Sequence, residues 1–194
     1  LSVLIYLLLG YLVTRIGFAE KESKGIAESR GGKRGPENVW GSAASGAFLA
    51  IMIATGNYSE KLLILAFAAS FSAKLADTFG SEIGKRWGKR TYLITSFKRV
   101  SSGTDGAISL QGTLASVLGS LLMTIVVLSL FSIYSLYPFL IVFISGILST
   151  LVESLVGASI QKKHRLLTNE VVNGIQTTFS AILTISFISL FNIS

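Results

Sequence analysis

The sequence predicts an all-α polytopic membrane protein, a single helical bundle over residues 1–194 with about six transmembrane helices. Three observations carry that reading. Hydrophobic residues make up 51% of the 194 residues and charged residues only 14%, where a soluble domain carries about 25% charged. Long apolar runs recur from end to end, and the charges between them collect in alternate loops. Disorder, a collagen-like chain and a cytosolic enzyme are excluded. The absence of cysteine removes disulfides, thiol nucleophiles, Cys-ligated zinc and iron–sulfur clusters. A single histidine removes a multi-histidine metal site within one chain.

A bilayer core about 30 Å thick needs roughly 20 apolar helical residues to cross it. The first span is residues 1–18; it starts on Leu1 and not Met, so the chain is expected to begin inside a longer protein. It lacks the basic start and small-residue cleavage site of a signal peptide. The further spans are 39–55, 62–83, 107–131, 138–160 and 170–193. Trp40, Tyr58, Tyr134 and Tyr137 sit near span ends, where amphipathic rings prefer the headgroup level.

The loops set the orientation. Lys21, Lys24, Arg30, Lys33 and Arg34 lie between spans one and two, and Lys85, Arg86, Lys89, Arg90, Lys98 and Arg99 between three and four. Lys162, Lys163 and Arg165 lie between five and six, making 14 of the 17 basic residues in three loops. The two intervening loops carry one. The positive-inside rule makes the basic loops cytoplasmic and both ends of the chain external. The net charge of +7 thereby has a topological origin, and nucleic acid is not an expected partner. The sequence sets no oligomeric state.

Ionisable residues at membrane depth are costly and mark functional positions. On the third span Lys74, Asp77, Thr78, Ser81, Glu82 and Lys85 fall within an arc of roughly 140° at 100° per residue. Ala73, Ala76, Gly80 and Gly84 between them allow close helix approach. A self-neutralising Lys74–Asp77 pair would account for part of the stripe but leaves Glu82 unexplained. Glu153 stacks at a spacing of four with Ser149 and Gly157 on span five. Span six opens on Asn169-Glu170-Val171-Val172-Asn173, with Asn169, Asn173 and Thr177 again four apart. If the spans pack as one bundle, Asp77, Glu82, Glu153 and Glu170 are expected to converge toward the cytoplasmic side. Carboxylates among hydroxyl and amide oxygens suit a hard cation such as Mg²⁺; an ion or proton pathway uses the same residue types.

Two loops add anion-binding features. Residues 95–106 run from the Lys98-Arg99 pair through Ser101-Ser102-Gly103-Thr104-Asp105-Gly106 into span four, with Thr104 or Asp105 as the expected N-cap. Backbone N–H groups at a helix start behind flexible glycines form a phosphate cradle, and a capped helix after a tight turn explains the same residues. No Walker motif is present. In the first loop, glycines alternate with Arg30, Lys33 and Arg34 ahead of Asn38, a pattern that can fold around an anion or lie on anionic headgroups.

These segments together resemble the integral membrane family that includes the phytyl-phosphate kinase of the vitamin E pathway. The resemblance covers nearly the whole chain. It rests on residues 25–35 (GIAESRGGKRG), 76–84 (ADTFGSEIG), 103–106 (GTDG), 109–113 (SLQGT), 153–158 (ESLVGA) and 169–173 (NEVVN). Family members often carry Trp at the position of Phe79, Asp at that of Glu153, and Asp-Asn-Asp where this chain has Thr168-Asn169-Glu170. They often have further hydrophobic segments ahead of the region where this chain starts.

The resemblance implies phosphoryl transfer from a nucleoside triphosphate, with CTP the favoured donor, to an isoprenoid monophosphate such as phytyl or geranylgeranyl phosphate. The product is the diphosphate. It implies Mg²⁺ held by Asp77 and Glu82, with Glu153 and Glu170 as further ligands, and phosphates held by Lys98 and Arg99 as catalytic cations. Arg30, Lys33, Arg34, Asn38, Thr78, Ser81, Ser102, Gly103, Thr104, Gly106, Asn169 and Asn173 complete the expected substrate contacts. An acceptor that is already an anion needs no strong base, so catalysis reduces to alignment and charge neutralisation. The prenyl tail is expected between spans, entering from lipid. A CTP-dependent prenol kinase and a lipid cytidylyltransferase are the chemical alternatives. A small transporter is the alternative of another class, which inverted repeats or acids in both membrane halves would favour; no clear repeat is present.

Overall fold

The computed structural model describes residues 1–32, 36–56, 58–161 and 168–191, with side chains for all of these except 36–38, 42, 160 and 161. Seven α-helices follow in chain order: α1 Ser2–Arg15, α2 Phe18–Ser23, α3 Pro36–Thr55, α4 Glu60–Trp87, α5 Leu110–Leu130, α6 Leu136–Val156 and α7 Asn169–Leu190. A single 3₁₀ turn occupies Arg30–Gly32, and α6 runs on as a π-helical turn over Gly157–Gln161.

The six expected spans correspond to six apolar helices. α4, α5, α6 (continued to Ser159) and α7 are long and apolar enough to cross a membrane. Among the described residues α1 and Ala43–Thr55 of α3 are shorter apolar helical stretches. α1 stops because Gly17, at φ +60°, turns the chain into the short polar helix α2.

α4 is the axis of the bundle, packed against α1, α3, α5, α6 and α7. Its middle is lined with Ala66, Ala68, Ala69, Ser70, Ser72, Ala73 and Ala76, all buried; without bulky side chains, five helices can approach it at once. The α4–α5 seam is tight. A Cβ on Gly119 would lie 2.7 Å from the Leu75 carbonyl oxygen, and one on Gly112 would lie 2.9 Å from that of Gly80. The apolar core gathers Tyr6, Leu65, Phe71, Leu75, Met123, Val127, Val142 and Ile188, with Phe67 and Phe71 ring centroids 4.9 Å apart. Hydroxyls and one amide supply the polar ties. Ser72 Oγ meets Ser120 Oγ at 2.8 Å and Thr124 Oγ1 at 3.0 Å. Ser180 Oγ donates to the Ala69 carbonyl, and Gln176 Nε2 to that of Ala73. In a lipid-surrounded bundle such bonds replace the water these groups would otherwise seek.

The all-α expectation holds, with one small addition. Between α4 and α5 the chain forms a two-stranded antiparallel hairpin, β1 Thr91–Leu93 and β2 Ala107–Ser109, with Tyr92 opposite Ile108. The fourth span therefore starts at Leu110 and not at Ala107, and its cap is Ser109, whose Oγ accepts from Gly112 N at 3.1 Å. Thr104 and Asp105 cap no helix. Gly103 and Gly106 adopt φ +84° and +70°, a conformation that ends helical backbone and turns this segment toward β2.

Candidate active site

The loop segments that carry most of the basic residues meet at one end of the bundle, around a cavity of about 200 Å³. Asp77, Thr78 and Ser81 of α4 form one wall, Gly112, Thr113 and Ser116 of α5 another, and Ile147, Thr150 and Glu153 of α6 a third. Ser102, Gly103, Thr104 and Gly106 from the inter-strand loop and Asn169 from the first turn of α7 complete it, with Glu28 reaching in from the segment before the 3₁₀ turn. The loop is locked against α6: a Cβ on Gly106 would lie 2.4 Å from the Ser154 carbonyl oxygen. Only glycine combines that approach with a positive φ.

The cavity's charged groups are set by two ion-pair systems. In the first, Lys74 Nζ, itself buried, donates to Asp77 Oδ2 at 2.6 Å and to Asn173 Oδ1 at 2.8 Å. This ties α4 to α7 and holds the Asp77 carboxylate at the cavity wall. In the second, Glu82 is buried and pairs with Lys21 of α2 and, at 3.3 Å, with Lys85. Lys21 Nζ also donates to the Thr14 carbonyl at 2.9 Å. Lys85 lies 4.0 Å from Glu28, and Arg86 pairs with Glu20 at 2.7 Å. The hydrogen bond from Lys24, with the nearby charge of Arg86, holds the Glu20 carboxyl below its ordinary range. α2 is thus strapped across the end of α4 by two ion pairs. The segment behind it closes on the hairpin, where Ile26 fills the space beside Gly103.

The expected four-carboxylate cluster does not form. Asp77, Glu82 and Glu153 line the cavity and Glu170 does not, since α7's first turn packs its backbone against Gly41 of α3. Among the described residues, no three carboxylate or imidazole groups come together as a metal cage. Asp77 and Glu82 sit five residues apart on one helix, about 7.5 Å along its axis, and Glu82 is engaged by lysines. Asp77, held by Lys74, and Glu153 remain as the acidic pair of the α4 and α6 walls, with Asp105 and Glu28 on the loop side.

The expected phosphate-binding cations divide. Lys98 and Arg99 are exposed on the strip beside β1 and do not line the cavity; Arg99 bridges to Tyr92 through the backbone. Arg30 is exposed at the 3₁₀ turn with φ +55°. Lys33 and Arg34 lie outside the described residues, as does the side chain of Asn38. Asn173 is buried on Lys74, away from the cavity lining. Thr78, Ser81, Ser102, Gly103, Thr104, Gly106 and Asn169 are all brought to it. The cations that line the cavity are Lys74 and Lys85.

Lys21 escaped sequence reasoning because nothing local distinguishes it from other loop lysines. The one available signal was Glu82, an ionisable residue at membrane depth that the Lys74–Asp77 pair leaves unexplained. Glu28 and Asp105, also at the cavity, lacked even that signal.

The donor set can hold a hard cation without a full protein cage. Mg²⁺ is commonly bound by one or two carboxylates, with waters and substrate phosphates filling the remaining positions. Asp77 and Glu153, among hydroxyl and amide oxygens and with no sulfur or imidazole in the lining, fit that pattern.

Comparison with known proteins agrees with this picture of a membrane bundle. The profile of a family described as integral membrane protein DUF92 matches residues 1–181. A membrane protein of Synechocystis sp. is 46% identical over 186 residues, covering 95% of this chain and 72% of the relative. VTE6, a chloroplastic protein of Arabidopsis thaliana, is 43% identical over 190 residues, covering 95% of this chain and 57% of the relative. A membrane protein of Methanocaldococcus jannaschii is 35% identical over 182 residues, covering 93% of this chain and 72% of the relative. The chain thus spans little more than half the length of the plant protein. No solved structure matches.

Proposed function

Because the chain belongs to the DUF92 family of integral membrane proteins, we propose that it is a kinase-like enzyme of isoprenoid lipids. It would transfer the terminal phosphoryl group of a nucleoside triphosphate, CTP by preference, to a prenyl monophosphate of the phytyl or geranylgeranyl type. The resemblance to the phytyl-phosphate kinase family supports the reaction class. The observation that carries the reading is the cavity itself: Asp77 and Glu153 face each other beside Lys74 and Lys85 in about 200 Å³. At about 30 Å³ per water, that volume suits phosphate groups and their counter-ion. The nucleoside and the lipid tail remain outside.

In this reading Asp77 and Glu153 hold Mg²⁺, which neutralises charge on the phosphate oxygens when bound. Lys85, at the cavity edge, meets the transferring group, and Lys74 fixes the Asp77 carboxylate. Hydroxyls of Thr78, Ser81 and Ser102 and the amide of Asn169 orient phosphate oxygens. An oxygen of the prenyl phosphate forms a bond to the terminal phosphorus while the bond to the nucleotide's bridging oxygen breaks, releasing the nucleoside diphosphate. The acceptor is largely dianionic at neutral pH, so no residue has to remove a proton. Ile147 and Leu151 of α6 line the cavity, and Leu151 also continues the lipid-facing ridge of Ile144, Leu148 and Leu155. That wall offers the prenyl tail a lateral path from the bilayer, and the basic end of the bundle is the cytoplasmic one by charge.

The test is product identification after incubating purified protein with prenyl monophosphates, labelled nucleotides and Mg²⁺. A prenyl diphosphate is the expected product. A CDP-lipid would mark attack at the α-phosphorus, and absence of turnover with every pair would overturn the enzymatic reading.

A further inference from the structure

A second groove, of about 500 Å³, opens on the outer side of the hairpin. Its wall carries Lys89, Arg90, Tyr92, Phe97, Leu110 and Gln111, and among the described residues no carboxylate lines it. It backs onto the cavity, sharing Ile108, Ser109 and Thr113 with it. The groove sits where α4 ends and α5 begins, the level at which a helix leaves the hydrocarbon. Below it, Leu110, Leu114 and Leu118 are 70%, 61% and 49% exposed. At a spacing of four they form one straight ridge down the outer face of α5. Phe97 is 72% exposed and is held outward at φ +52° by the bond from its N–H to the Leu93 carbonyl, 2.8 Å. Lys98 and Arg99 follow it, both exposed.

A cationic mouth without acids, an apolar ring at headgroup depth and a continuous apolar track below are the two halves of one ligand. We propose that this groove is a binding site for an acidic glycerophospholipid of the phosphatidylglycerol class. Its phosphate lies between Lys89 and Arg90, its headgroup hydroxyls reach Gln111 and Tyr92, and one acyl chain follows the Leu110–Leu114–Leu118 ridge. A zwitterionic lipid offers the same tail but brings its own cation to the mouth, so selectivity resides in Lys89 and Arg90. The site does not depend on the proposed phosphoryl transfer. Through the shared wall of Ile108, Ser109 and Thr113, an occupied groove braces the side of the cavity that the hairpin supplies.

The chain has two tryptophans, and Trp87, 47% exposed, ends α4 two residues before Lys89 of the groove wall. A Trp40→Phe protein therefore reports on this place alone. In phosphatidylcholine nanodiscs, a phosphatidylglycerol bearing a nitroxide near the top of its acyl chain should quench Trp87 with an apparent affinity at least about tenfold tighter than the matching phosphatidylcholine, as expected for two membrane-surface cations. Lys89→Gln with Arg90→Gln should erase the difference, whereas Lys61→Gln should keep it. Equal quenching by the two lipids in the Trp40→Phe protein overturns the proposal whatever the variants do. So does full preference retained by a folded Lys89→Gln/Arg90→Gln protein. Displacement of the labelled lipid by equimolar prenyl monophosphate would reassign the groove to substrate, overturning it in a third way.

Discussion

Lys21 and Glu82, 61 residues apart in sequence, form an ion pair with side chains only 1% and 2% exposed. It joins α2 to the end of α4. Removing one partner of such a pair strands a charge, at a cost of about 3–5 kcal/mol, whereas replacing both by apolar groups is often close to neutral. Lys21→Met should therefore lower the unfolding temperature in detergent sharply, and Lys21→Met with Glu82→Met should recover most of the loss. If the double variant is no more stable than the single one, Lys85, 3.3 Å from Glu82, and not Lys21 is the cation that neutralises it.

Asp77 and Glu153 should both be required for turnover and should differ in what they do to stability. Asp77→Asn weakens the tie that Lys74 makes between α4 and α7, so loss of turnover on the order of 10²–10³-fold should come with a lower melting temperature. Glu153→Gln, at a side chain that accepts from Ser154 Oγ at 3.3 Å and makes no ion pair among the described residues, should lose turnover comparably and melt near the wild-type temperature. Both losses should follow the metal requirement of the wild-type protein in a titration with Mg²⁺ and chelator. Full activity of Asp77→Asn and Glu153→Gln together would remove the metal from this cavity.

The basic residues should separate by position. Lys85 lines the cavity, so Lys85→Met should lower kcat by about 10²-fold or more, the loss typical of a charge-assisted contact made in the transition state. Lys98→Ala and Arg99→Ala, exposed beside the hairpin, should stay within about threefold of wild type, since surface charges act weakly through solvent. A kcat collapse in Arg99→Lys, which keeps the charge but not the planar fork, would instead place that residue on a phosphate.

Opposite signs are expected for two glycines in helices, Gly119 at the α4–α5 seam and Gly174 on α7 facing α3. Gly119→Ala puts a methyl 2.7 Å from the Leu75 carbonyl oxygen and should destabilise by roughly 1–3 kcal/mol. Among the described residues Gly174→Ala meets only the Gly41 carbonyl oxygen at 3.8 Å and should be neutral, or stabilising by up to about 1 kcal/mol from helix propensity. Thermal unfolding of the two single variants checks the pair.

Much of this architecture is legible from local sequence. Apolar runs place six helices, because hydrophobic length is a property of each segment alone. The stripe of Asp77, Thr78 and Ser81 is legible because helical periodicity fixes which α4 residues share a face. Pairing across the chain is not: Lys21 and Lys24 look alike as loop lysines, yet one is buried on Glu82 and the other is exposed beside Glu20. The hairpin was missed because its strands have three residues each, too few for an alternating pattern, and Ala107–Ser109 runs without a break into the apolar start of α5. Glu170 went astray for a related reason. Its place in the chain is right for the cavity, but the packing of α7 on α3 turns the first helical turn elsewhere.

The central position of α4 bears on the order in which the protein can be assembled. Alone in a bilayer this helix would expose Lys74, Asp77 and Glu82 to lipid, and translocon scales charge about 2.5–3.5 kcal/mol for such a residue at mid-depth. Lys21 emerges from the ribosome before α4 and is ready to receive Glu82, but Asn173 and Gln176, which meet Lys74 and the Ala73 carbonyl, are synthesised nearly a hundred residues later. Biogenesis must therefore hold α4 in a protected, half-satisfied state until α7 arrives, and a ribosome stalled before α7 should leave α4 the span most readily lost from the membrane.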